Sequence, residues 1–123
     1  MELQIIKIKK SGSDNANYGM TIFVVSVAGL LDSDRTEDVR ILLKTIIMGG
    51  VQKILIDMEG LDFIDSGGIG AIINSANLVR SAGGNMALLN VPYNIAAIFK
   101  PLNIKRFINS FKNMNEAVNF FRV

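Results

Sequence analysis

Leu61-Asp-Phe-Ile-Asp-Ser-Gly-Gly-Ile-Gly70 decides how this chain is read, because an apolar run gives way there to a helical pattern. Ile54-Leu-Ile-Asp-Met58, just before it, has the composition of a buried strand. After it, Ile69, Ile72, Ile73, Ala76 and Val79 recur at helical spacing on one face, with Asn74, Ser75, Asn77 and Arg80 expected largely off that face. Asp65 and Ser66 are both natural N-caps, since either short side chain can accept from an orphan N–H of the first turn. Gly67, Gly68 and Gly70 strip side chains from that turn, so another molecule's backbone or phosphate can come close.

Working outward, Leu3 to Lys9 reads as a first strand, with Lys7, Lys9 and Lys10 marking an exposed end or edge. Ser11-Gly-Ser-Asp-Asn-Ala-Asn17 has the chemistry of a polar turn. Thr21 to Ala28 is nearly continuous in β-branched and aromatic residues, as a strand covered on both faces would be. Asp32 or Ser33 then caps a helix with Val39, Leu42, Leu43, Ile46 and Ile47 inward, stopped by Gly49-Gly50. Val51 to Met58 is the next strand, and the helix after the glycine turn runs to Ala82-Gly83-Gly84. Asn85 to Asn90 is a short strand, and Pro92 to Lys100 a short helix with Ile95, Ile98 and Phe99 inward, ended by Pro101. Phe107 to Phe111 adds an edge strand. Asn113 with Glu116 opens a last helix as a capping box, packed through Ala117, Val118 and Phe121. The order predicts an α/β fold in one domain over residues 1–123, a mixed four- to five-stranded sheet with packed helices. Right-handed crossovers would bring Asp32 close to Asp65 and Ser66.

Composition excludes several kinds of chemistry. With neither His nor Cys there is no Ser-His or Cys-His nucleophile pair, no disulfide framework and no usual zinc site. Carboxylate-bound magnesium stays open, since Asp32, Asp57 and Asp65 lie near predicted strand ends. The glycines lack a following Walker lysine, so phosphate cradling is a weak reading and catalysis a weaker one. Charge divides along the chain: Gly29 to Asp65 has eight acids against four bases, whereas Gly84 onward has five bases against Glu116. The acidic half carries the glycine turn, which argues against a nucleic acid docking there. The basic half reads as a solvated rim. Met20, Met58 and Met86 read as core filler, and Tyr18 and Tyr93 as residues that could rim a site. The start at Met1 has no signal-peptide pattern and no apolar run approaches a membrane span, so a free-standing cytosolic domain without membrane contact is expected.

Asp65-Ser66-Gly67-Gly68-Ile69-Gly70 resembles the Asp-Ser-(Ser/Thr)-Gly-Leu-Gly signature of STAS domains, best known from bacterial anti-sigma factor antagonists. Gly29-Leu30-Leu31-Asp32 is similar to the Gly-x-(Leu/Ile)-Asp that the family carries after its second strand, and element order and length match over nearly the whole chain. The resemblance implies a non-enzymatic, cofactor-free module that sequesters an anti-sigma factor, usually also a serine kinase, and so regulates transcription; it also admits a weak homodimer. It implies a partner-binding surface of Asp32, Asp65, Ser66, Gly67, Gly68, Ile69 and Gly70, extended by Asn74 and Asn77, with no metal. The family's usual phosphoacceptor is the second hydroxyl residue of the signature, and here that position is Gly67. Two readings follow: Ser66 is the acceptor, or Ser66 only caps the helix and the surface is never switched. Alternatives are a non-phosphorylated STAS scaffold in another signalling or transport complex, and a phosphate- or nucleotide-binding domain. A bulky or charged residue at Gly68 is expected to abolish partner binding and leave the fold largely intact.

Overall fold

The computed structural model describes residues 1–9 and 18–122; the loop expected over Ser11 to Asn17, with Lys10, lies outside them. A five-stranded sheet carries the fold, built from β1 (Glu2–Lys9), β2 (Tyr18–Ser26), β4 (Lys53–Asp57), β6 (Asn85–Leu89) and β7 (Asn109–Phe111) in the spatial order β1-β2-β4-β6-β7. β1 runs antiparallel to β2, and every other neighbour is parallel. Two further strands, β3 (Gly29–Leu31) and β5 (Leu61–Ile64), pair only with each other, in parallel. Four helices complete the chain: α1 (Ser33–Met48), α2 (Ser66–Ser81), α3 (Tyr93–Leu102) and α4 (Met114–Phe121).

The central strands are apolar without a break because both sheet faces are covered. Side chains alternate across a strand, so Ile54 and Ile56 enter one core with Val25, Met86 and Leu88, while Leu55 enters another with Ile22, Val24, Ala87 and Leu89. The first core is closed by α1 (Val39, Leu43, Ile47), α2 (Ile69, Ile72, Ala76, Val79) and α3 (Ile95, Phe99). The second is closed on one side by Ala117 and Phe121 of α4. Each fully buried aliphatic side chain contributes about 1.5–3 kcal/mol. Met20, Met58 and Met86 are core residues, as expected.

Three expectations change. Leu61 to Ile64, read as part of a turn, is a strand, and Gly29 to Leu31, left without an element of its own, is its partner. The chain leaves the main sheet after Val27 N donates to the Asp57 carbonyl at 3.0 Å, and Gly29, at φ 72°, turns it so that its own N–H reaches the Gly60 carbonyl at 2.9 Å. Pro101 does not end α3; the helix continues to Leu102 and closes at Asn103, in the left-handed region at φ 52°. A proline this near the C-terminus removes a single ladder bond, and the Ala97 carbonyl it leaves open belongs to an exposed residue that water can serve. A 3-10 turn (Ile104–Arg106) precedes β7, which is shorter than the strand expected over Phe107 to Phe111. At α4 the Asn113 side chain accepts from Glu116 N at 2.9 Å, the expected cap.

Candidate functional site

The register of the small sheet builds the site. Leu31 lies opposite Ile64, and Asp65 N donates to the Leu31 carbonyl at 3.2 Å. This holds Asp65 extended, at φ −95° and ψ 177°, so its side chain turns back over the first turn of α2 and accepts from Gly68 N at 2.8 Å. Asp65 is therefore the N-cap, and its carbonyl takes the first helical bond from Ile69 N at 3.0 Å. Ser66 is not a cap. It is the first residue of the helix, exposed, and its hydroxyl has no hydrogen bond among the described residues.

The glycines divide by role. Gly68 is buried, and a Cβ there would stand 2.9 Å from Ile64 Cγ1 and 3.1 Å from the Leu31 carbonyl oxygen, so this glycine lets α2 sit down on the β3–β5 pair. The expectation that Gly68 tolerates a large residue without harm to the fold is overturned by that contact. Gly67 is exposed and Gly70 half-buried with nothing within 4 Å of its Cβ position, so these two flatten the surface. Ile69 is also buried, 8% exposed, and supports the surface from beneath rather than presenting it. Gly67, Gly70, Asn74 and Asn77 follow one another along the outward side of α2 at helical spacing, and both asparagines are exposed. Ser75, expected off the apolar face, is 6% exposed, because it stands beside Ala76 between Ile72 and Val79 on the same stripe.

Asp32 is brought alongside. It is the half-buried N-cap residue of α1, extended at φ −110° and ψ −171°, and its carbonyl accepts from Thr36 N at 2.8 Å while its side chain makes no capping bond. Two helix N-termini thus open beside each other behind adjacent strand ends, as the topology predicts. Thr36, one turn into α1, buries a hydroxyl that has no hydrogen-bond partner among the described residues.

Sequence reasoning missed an apolar pair at this end. Leu30 and Phe63 are register partners across β3 and β5, and they are 51% and 45% exposed. A side chain alternates with its strand neighbours, so each follows the outward direction opposite to buried Leu31 and Ile64. Recognising Leu61 to Ile64 as a strand would have found them. Tyr93, 92% exposed, begins α3, which is tied to β5 where Asn94 Nδ2 donates to the Asp62 carbonyl at 2.9 Å.

The acids around this end are mostly engaged locally or solvated. Glu37 pairs with Arg40 at 2.8 Å, and Asp57 accepts from Glu59 N at 3.1 Å. Among the described residues no three acids gather where they could hold a metal ion, and Asp32, Asp57 and Asp65 do not form such a group. No helix among the described residues is long and apolar enough to cross a membrane.

Comparison with known proteins agrees with this fold. The STAS domain model matches residues 14–117. An anti-sigma F factor antagonist of Lysinibacillus sphaericus is 30% identical over 78 residues, covering 63% of this chain and 67% of that protein. The anti-sigma factor antagonist SpoIIAA in its unphosphorylated form shares the fold at a TM-score of 0.68 and 22% identity, over 98% of each chain. The phosphorylated form of SpoIIAA, a Bacillus cell fate determinant, superposes at 0.63 with 25% identity, over 80% of this chain and 88% of that one.

Proposed function

The chain belongs to the STAS domain family, and from that premise we propose that it is an anti-sigma factor antagonist, a binding module rather than a catalyst. It would act in the cytosol by capturing an anti-sigma factor that is also a serine kinase, and phosphorylation of Ser66 would release that partner. The name of the Lysinibacillus relative and the existence of SpoIIAA in two phosphorylation states support the class. The observation that carries the switch is local: Asp65 performs the capping, which leaves the Ser66 hydroxyl exposed and unengaged at the start of α2.

The docking surface proposed is Asp32, Asp65, Ser66, Gly67 and Gly70, continued by Asn74 and Asn77, with Leu30 and Phe63 as its apolar centre. Gly68 and Ile69 belong to it as the layer beneath. A phosphate on Ser66 adds about −1.5 to −2 charges. At a helix N-terminus that charge is tolerated by the fold. Pressed against a partner beside Asp32 and Asp65, it meets like charge and loses its hydration, so the complex opens while the domain stays folded.

The test is the intact mass of the protein after incubation with ATP and a lysate of the native cell, with Ser66→Ala alongside. One phosphate on the wild type and none on the variant is the expected result. No phosphate, in a lysate that modifies a known antagonist, would replace the switch with an unswitched scaffold, the reading that Gly67 at the family's usual acceptor position favours.

A further inference from the structure

A second concavity shares no residue with that surface. It opens between α3, the 3-10 turn and β7, and encloses about 500 Å³. That lies within the range of about 300–1,000 Å³ typical of small-molecule sites. Its floor is Leu88, Phe99, Ile104 and Ile108, all buried, and Lys100 and Lys105 line it from exposed positions. We propose that it binds a free amphiphile with an anionic head group and a short apolar body, such as a medium-chain carboxylate.

The apolar floor and the two cations come together through one backbone feature. Asn103, at φ 52°, ends α3 and sends the chain into the 3-10 turn, which returns Lys105 to the rim that Lys100 already occupies. Lys100 stands in the last turn of α3, where its charge also suits the helix end. Lys105 belongs to the three-residue 3-10 turn. From Gly84 to Asn115 the sequence contains no acid, against Lys100, Lys105, Arg106 and Lys112. Neither Lys100 nor Lys105 has an ion-pair partner among the described residues. A carboxylate at the mouth would meet two unneutralised ammonium groups while its chain displaced water from the floor. A cationic amphiphile would be repelled there, and a neutral one would lose the charged contacts.

Methyl NMR of the intact chain, read at Ile104 and Ile108, tests this with decanoate, decanol and decyltrimethylammonium as probes. Saturable shifts with decanoate are expected, with decanol weaker by about tenfold or more and the cation weaker still. Ala96→Trp, at an exposed position on the rim, is expected to abolish the shifts by filling the mouth, with unchanged melting as the control for folding. Lys100→Gln with Lys105→Gln is expected to weaken decanoate to the level of decanol. No saturable shift with decanoate would overturn the proposal, as would equal binding of all three probes or full binding by Ala96→Trp. Cosedimentation with phosphatidylglycerol vesicles without decanoate binding would also overturn it, in favour of a membrane surface.

Discussion

At Asp65 and Ser66 two adjacent residues of similar capping ability have opposite roles, and stability separates them. Asp65→Ala removes the acceptor of Gly68 N, which costs about 1 kcal/mol and lowers the melting temperature by roughly 4 °C. Ser66→Ala removes a hydroxyl without a partner and is expected to stay within about 0.5 kcal/mol of wild type. Paired thermal unfolding checks this; a larger loss at Ser66 would return the capping role to it. The glycines differ in the same way. Gly68→Ala drives a Cβ against Ile64 and Leu31, with an expected cost of about 1–3 kcal/mol. Gly70→Ala enters open space in a helix and should stabilise by up to about 1 kcal/mol. Denaturant unfolding of both variants measures the contrast, and equal effects would show that the packing under α2 is misjudged. The glycine turn itself is plain in the sequence, but which glycine is buried depends on what α2 rests on.

The β3–β5 pair is the element on which the proposed docking surface rests. It places Leu30 and Phe63 side by side and sets Asp32 and Asp65 at neighbouring strand ends. Phe63 is already 45% exposed, so Phe63→Ser removes little buried area from the folded domain. Its melting temperature should move by no more than a few degrees, while capture of the proposed anti-sigma partner is expected to weaken by about tenfold or more, if Phe63 is the aromatic centre of the proposed interface. Titration calorimetry with the purified partner decides, and undiminished affinity would move the contact elsewhere. Short strands of this kind are hard to see in a sequence. Three or four residues are too few for a period of two to emerge, and their pairing is set by the position of Gly29 and Gly60 rather than by propensity. The run of α3 past Pro101 is a comparable case, where propensity yields to a helix already anchored by Ile95 and Phe99.

For the whole molecule, the order β1-β2-β4-β6-β7 puts the strands that bury both faces at the centre and leaves β3 and β5 outside it. Hydrogen exchange should follow that arrangement. Amides of Ile54, Leu55 and Ile56 are expected to exchange only with global unfolding, and those of β3 to open locally and faster. Uniform protection across both sheets would show that the small pair unfolds only with the rest. The amino-acid sequence by itself determined the class of fold, the helix faces, the cap at Asn113 and the location of the glycine turn. Each depends on contacts between residues near in the chain, where periodicity and short-range hydrogen bonding are decisive. Only the tertiary structure decided that Asp65 rather than Ser66 caps α2, that Gly68 is packed and Gly70 open, and that Leu30 meets Phe63. Asp65 and Gly68 both meet the Leu31 carbonyl, and Leu30 pairs with Phe63, all contacts between residues far apart in the chain. The register that brings such neighbours together comes from packing the whole sheet rather than from any local preference.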